Sequence, residues 1–295
     1  MSDYVLSCES TADLSAEKMK ELGIEYICFH FYLDNKEYPD DLGQTVPFDK
    51  FYQAMANGSD TKTAQISAGE YEDYFRALLE EGKDILHLSL SSGLSGTIES
   101  AKMAASDLAN EFPDRKIYII DSLAASSGYG LIMATLAEKR QAGLSIDELR
   151  DWIEANKLRM RHWFFSTDLT FYVKGGRVKP TAGFVGNLLG ICPLLDVDLA
   201  GHLIPREKIR SKKKVIKRIV EQMEATVRDG HDYDGRVFIS QSACYEDAKA
   251  VADLVERTFP KMKGKVEIFS IGTTIGAHTG PGTVALFFWG TERTN

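Results

Sequence analysis

The residues best suited to hold a small anion lie in one stretch, Ile85-Leu-His-Leu-Ser-Leu-Ser-Ser-Gly-Leu-Ser-Gly-Thr97. An apolar, strand-like run ends in a turn of hydroxyls and glycines, and a helical pattern follows at once. Gly93 and Gly96 permit tight turns and close approach of a ligand. The amides that open the next helix lack internal partners and carry partial positive charge, so the corner attracts an anion. Ser91, Ser92, Ser95 and Thr97 add side-chain donors. The same residues also suit a plain strand-to-helix turn capped by serines.

Three further segments carry polar groups that can reach a ligand. In Ile275-Gly-Ala-His-Thr-Gly-Pro-Gly282, His278 sits in a glycine-rich turn with little steric cover. It can donate a hydrogen bond and, if protonated, offset a carboxylate. In Thr61-Lys-Thr-Ala-Gln-Ile-Ser67, a polar loop, Thr63 and Gln65 offer hydrogen bonds. A basic run, Lys208, Arg210, Lys212, Lys213, Lys214, Lys217 and Arg218, falls largely on one helix with Val215, Ile216 and Ile219 as its apolar face. Lys174, Arg177, Lys179 and Arg206 can join it. It reads either as a solvated helix surface or as a docking patch for an acidic protein or a phosphate. The six histidines show no HxH or HExxH spacing, so no metal is expected.

The elements around these segments alternate strand and helix. Tyr4 to Ser7, Ile24 to Leu33, Ile85 onward and Ile117 to Ile120 read as strands. Helices are expected from Ser15 to Gly23, Pro47 to Gly58, Ser67 to Gly82, the Ser/Gly turn to Glu111, and up to Gly143. Ser67-Ala-Gly-Glu70 and Ser145-Ile-Asp-Glu148 are capping boxes, the second opening a helix toward Arg161. Such alternation indicates a mostly parallel sheet with both faces covered. The pattern changes near Trp163, where Phe164 to Tyr172 is dense in aromatics and Lys174-Gly-Gly-Arg177 forms a basic turn. A hairpin about Gly201, a helix from Ser211 to Arg228 and strands at Val237, Val266 and Thr283 follow. The fold class is therefore α/β with two domains: a mostly parallel α/β domain over 1–162 and an α+β domain over 163–295, with a ligand between or within them. One segment of the first half is free to pack on the second domain.

Composition narrows the function. The 295 residues are 44% hydrophobic and 26% charged, as in globular proteins with a full core. A net charge of −8 argues against broad nucleic-acid binding. No apolar run is long enough for a membrane span, and the first residues show no signal-peptide pattern. Cys8, Cys28, Cys192 and Cys244 form no CxxC and read as reduced thiols of a cytoplasmic protein.

Taken together, Ser10-Thr-Ala-Asp-Leu14, Thr63-Ala-Gln-Ile-Ser67, Ser91-Ser-Gly-Leu-Ser-Gly-Thr97, Tyr118-Ile-Ile-Asp-Ser122, Lys174-Gly-Gly-Arg177, the Gly201–Lys214 segment and His278-Thr-Gly-Pro-Gly282 resemble the signature elements of the DegV family, in its order and over nearly the whole chain. The resemblance implies a non-enzymatic lipid carrier without cofactor, holding one long-chain fatty acid of the C16–C18 class. It implies the fatty-acid-binding subunit of a bacterial fatty-acid kinase system that feeds phospholipid metabolism. A separate kinase phosphorylates the carboxylate while this subunit holds the acid. Thr63, Ser95 and His278 match the family's carboxylate-binding positions, Gly96 lies in the same turn, and Arg177, Arg206 and Arg210 match a region implicated in kinase docking. Two motifs depart from the family: Glu9 stands where it carries Asp, and Thr-Ala-Gln-Ile-Ser replaces Thr-Ser-Gln-Pro-Ser, which removes a hydroxyl at Ala64 and a rigid proline at Ile66. Candidates for the tail wall are Phe164, Phe165, Leu169, Phe171, Phe184, Val185, Leu188, Leu189, Ile191 and Leu194.

One rival reading is an esterase-like hydrolase. Gly93-Leu-Ser-Gly-Thr97 resembles a nucleophile elbow, and Ser95, Asp168 or Asp196, and His278 occur in hydrolase order. However, Thr97 stands where GxSxG requires Gly.

Overall fold

The computed structural model describes residues 4–179 and 190–294. The first half runs β1 (Tyr4–Glu9), α1 (Ala16–Leu22), β2 (Ile24–Ile27), β3 (His30–Leu33), β4 (Lys36–Pro39), α2 (Phe48–Ala56), β5 (Thr61–Ala64), α3 (Ala68–Glu80), β6 (Asp84–Ser89), α4 (Thr97–Glu111), β7 (Ile117–Asp121), α5 (Ser126–Gln141) and α6 (Ile146–Asn156). The second half runs β8 (Met160–Phe165), α7 (Thr170–Lys174), β9 (Ile191–Val197), β10 (Leu203–Arg210), α8 (Lys212–Thr226), β11 (Val237–Gln241), α9 (Tyr245–Thr258), β12 (Val266–Ser270), α10 (Thr273–Thr279) and β13 (Val284–Trp289).

Local chemistry explains many of these boundaries. Ser15 caps α1 by accepting from Lys18 N, and Gly23 ends it in the left-handed region. Ser67 and Ser145 each close a capping box, with Glu70 and Glu148 reaching back to the cap amide. The helix after Ser145 stops at Asn156, short of Arg161, because Met160 onward is drawn into β8, all of whose residues are buried.

The strands form three sheets. The first is parallel, in the order β2-β1-β6-β7. The second is mixed, in the order β10-β9-β8-β13-β11-β12. The third is a small antiparallel sheet, β4-β3-β5. The stretch Ile24–Leu33, read as one strand from sequence, is broken between β2 and β3, which serve different sheets. β8 straddles the expected boundary at 162 and belongs wholly to the second sheet.

α5 explains how the two large sheets share a core. It is buried on nearly every side, packing on β1 and also on β8, β11 and β13. A helix apolar all round suits the interior between two layers. The small sheet is the first-half segment that crosses over. Phe31, Phe51, Tyr52 and Met55 pack with Ala277 of α10 and Phe171 of α7. A second seam joins the Ser/Gly turn to the β9–β10 hairpin, where Ser91 Oγ donates to Gly201 O at 2.9 Å. A Cβ at Gly93 would lie 2.6 Å from Ala200 O. The close approach that Gly93 permits is therefore to this hairpin rather than to a ligand.

Candidate functional site

A cavity of about 410 Å³ opens where the three sheets meet. It lies beyond the carboxyl end of β6, the usual ligand position in open parallel sheets. Its polar mouth is made by Thr63 and Gln65 from β5 and the residue after it, Ser95 and Gly96 from the turn, and Arg177 and His278. Thr63, Ser95, Gly96 and His278, singled out from sequence, are thus brought to one cavity. Two expected settings were different. Thr63 stands on an edge strand rather than in a loop, and His278 occupies the last turn of a helix rather than a glycine turn. Neither short element has enough periodicity to be read alone.

His278 Nε2 lies 2.8 Å from Thr63 Oγ1. Its Nδ1 is buried and has no hydrogen-bond partner among the described residues. Burial, and then the positive charge of Arg177, push the imidazole down to about 4, so it is neutral at pH 7. A neutral ring with its proton on Nε2 donates to Thr63 and leaves the Thr63 hydroxyl proton for the cavity. At pH 7 the ring therefore has the hydrogen-bonding role and not the positive charge it would carry if protonated.

That positive charge is on Arg177. Its Nε donates to Leu94 O at 3.2 Å and its Nη1 to Gly175 O at 2.6 Å. The guanidinium is half-buried in the cavity wall, where these two carbonyls fix its position. Arg206 is elsewhere, donating to Asp196 Oδ1 at 2.7 Å, and Arg210 is exposed at the end of β10. The Lys174-Gly-Gly-Arg177 turn has a second use that sequence reading missed. A Cβ at Gly175 would lie 2.3 Å from His278 Nδ1, so only glycine lets the ring reach Thr63.

Ser95 Oγ accepts from Thr97 N at 3.2 Å, which leaves its own proton to donate into the cavity. Gly96 caps the 15-residue α4, whose positive end faces the same mouth. Behind the mouth the wall is apolar: Phe29, Leu90, Ala125, Phe164, Ala285 and Phe287 are among its residues. Of the tail-wall candidates within the described residues, Phe164 lines the cavity. Phe165, Leu169 and Leu194 fill the main core, Ile191 is at the start of β9, and Phe171 packs in the small-sheet cluster. Phe184, Val185, Leu188 and Leu189 lie outside the described residues.

The hydrolase arrangement is not assembled. A working triad needs a carboxylate on the far nitrogen of the histidine. Asp168 instead accepts from Thr170 N and Oγ1, and Asp196 pairs with Arg206. Among the described residues no group of three or more His, Cys, Asp or Glu could hold a metal ion, and no helix is long and apolar enough to cross a membrane.

The sequence profile of the DegV family, described as one of uncharacterised proteins, matches residues 6–291. A DegV domain-containing protein of Clostridium perfringens is 34% identical over 293 residues, 99% of each chain. The chain belongs to the DegV family. A DegV lipid-binding protein of Thermotoga maritima has a similar structure, at 28% identity and a TM-score of 0.83 over the full length of both chains. A fatty-acid-binding DegV family protein of Thermus thermophilus matches at 25% identity and a TM-score of 0.86, over 98% of this chain and 99% of that one. The chain thus shares its overall fold with DegV proteins described as lipid- or fatty-acid-binding.

The neutral His278 has a measurable consequence. Its folded value lies below that of a free imidazole, so the unfolded chain binds the extra proton first. The His278 contribution to stability should fall as pH drops from about 6.5 toward 4. In His278→Gln that part of the acid sensitivity should disappear from melting curves recorded across this range.

Proposed function

We propose that the protein binds one long-chain fatty acid of the C16–C18 class, with its carboxylate at the mouth and its tail in the apolar cavity. The supporting observation is the convergence of Thr63, Ser95, Gly96 and His278 on the mouth of a cavity whose depth is apolar. The Thr63 and Ser95 hydroxyls and the start of α4 donate to the carboxylate, His278 orients Thr63, and Arg177 balances the charge. Burial of about 14 methylenes contributes roughly 11 kcal/mol gross at about 0.8 kcal/mol each. Lost freedom of chain and ligand takes back several kcal/mol, which leaves affinity of micromolar or better. Without donors the buried carboxylate would take a proton instead.

The chain performs no chemistry in this reading. It acts in the cytoplasm and presents the carboxylate to a separate fatty-acid kinase, which forms the acyl phosphate. Arg206 and Arg210, on the hairpin that docks beside the Ser/Gly turn, are the proposed contacts for an acidic kinase surface, and Arg177 couples that face to the carboxylate. Mass spectrometry of lipid extracted from the purified protein tests binding directly: a stoichiometric fatty acid supports the reading, and lipid-free protein that fails to take up palmitate refutes it. Charge reversal at Arg206 and Arg210 is expected to cut kinase-dependent acyl-phosphate formation about 10-fold or more, with bound lipid unchanged. Normal coupling would remove the docking role.

A further inference from the structure

Asp13 and Asp40 are fully buried and converge on the start of α10, the helix that carries His278. Asp13 Oδ1 accepts from Gly272 N at 2.9 Å. Asp40 accepts from Thr273 Oγ1 at 2.8 Å and Thr274 N at 3.3 Å. Asp13 also bonds through Oδ2 to Ser126, a cavity-lining residue at the start of α5. Both Asp13 (φ 47°) and Ser126 (φ 55°) sit in the left-handed region, strain that persists only where the surroundings impose it.

Three hydroxyl protons serve four links around Asp13, so all four are filled only if the acid supplies the fourth. Ser127 Oγ donates to Asp13 O at 3.1 Å, and Ser240 Oγ donates to Ser127 at 2.6 Å. Ser240 has then used its proton, so the 3.1 Å bond between Ser126 and Ser240 takes the proton of Ser126. With the Ser126–Ser240 link filled, the shorter bond between Ser126 Oγ and Asp13 Oδ2 is completed by a proton from the acid. The chain closes with every link filled: Asp13 to Ser126, to Ser240, to Ser127, and back to the Asp13 carbonyl. An ionised Asp13 would claim the Ser126 proton and leave the Ser126–Ser240 link empty. It would also place a second charge beside Asp40.

We propose that Asp13 is a neutral acid at pH 7 and the positioning residue that ties α10 and the start of α5 to the fatty-acid cavity. The proposal rests on the fatty-acid reading for its ligand but not for its proton. Burial and the nearby Asp40 act in the same direction, holding the Asp13 carboxyl well above the usual range. The other titratable groups facing the pair are Tyr52 of α2, raised by burial, and Cys28 after β2, pushed up by burial to about 12. Both stay neutral, so neither supplies a counter-charge.

The amide of Asn reproduces a neutral acid here: its NH₂ donates to Ser126 and its carbonyl accepts from Gly272. Asp13→Ala is expected to lower palmitate affinity at least 10-fold, and Asp13→Asn to rescue it to within about 2-fold of wild type. The native fold holds a proton that the unfolded chain releases, so the Asp13 contribution to wild-type stability should fall as pH rises above about 4. Asp13→Asn should therefore melt higher than wild type at pH 7, with a gap that widens up to the pH at which the folded acid ionises. The infrared band of a protonated carboxyl should be present in ligand-free wild type at pH 7 and weaker by one group in Asp13→Asn. Loss of affinity in Asp13→Asn equal to that in Asp13→Ala, a lower melting temperature, or an unchanged band would each overturn the proposal. If the wild-type protein takes up no fatty acid, the functional reading fails while the band and the melting shift still test the proton.

Discussion

Ser95→Ala and Thr63→Val should each weaken fatty-acid binding about 10- to 100-fold, and the double variant by about 10³-fold. Each removes one hydrogen bond to a carboxylate, worth about 1.5–3 kcal/mol, at about 1.4 kcal/mol per factor of ten. The two hydroxyls belong to different elements, the turn before α4 and strand β5, and share no hydrogen-bond partner in the structure. Because both donate to the same carboxylate, the double variant should cost no more than the sum of the two. Thr63 and His278 behave differently, because the ring acts through the Thr63 hydroxyl at 2.8 Å. Adding His278→Phe to Thr63→Val should cost little beyond the first change. Calorimetric titration with palmitate, together with melting curves to confirm folding, gives both comparisons. Strict additivity of Thr63→Val and His278→Phe would refute the relay from ring to hydroxyl.

Gly175→Val should be as damaging as removal of the imidazole, although residue 175 contributes no polar side-chain group. The new Cβ would sit 2.3 Å from His278 Nδ1, far inside contact distance. The backbone there has φ −74°, which valine accepts, so the cost is steric and not conformational. Relief comes by swinging His278 away from Thr63 or by lifting α7, and either move opens the mouth. Affinity should fall about 10- to 100-fold with only a small change in melting temperature. Unchanged affinity in a folded variant would show that the ring's present position is not needed.

Much of this was visible in the residues, and what was hidden has identifiable causes. Capping boxes at Ser67 and Ser145 announce their helices because the cap is a local contact of fixed spacing. The Ser/Gly turn announces the start of α4 for the same reason. The small sheet was missed because β4 and β5 are four residues each and mostly polar or partly exposed. Their place is set by Phe31 and the second-half residues they cover, a long-range effect. The tail-wall candidates, which also suit ordinary core, could not be sorted from sequence because an aromatic run such as Phe164-Phe165 alternates faces along a strand. Phe164 meets the cavity and Phe165 the core. Arg177 read as one of several surface cations, and only the folded turn shows its guanidinium held by two carbonyls.

The bond between Thr63 and His278 joins positions 215 residues apart in sequence. β13, which follows His278, fills the middle of the second sheet between β8 and β11. On the proposed reading, a growing polypeptide emerging from the ribosome therefore has no complete seat for a fatty acid until α10 and β13 have been made. Loading then follows synthesis of these elements, and a truncated translation product lacking them should fail to sequester lipid.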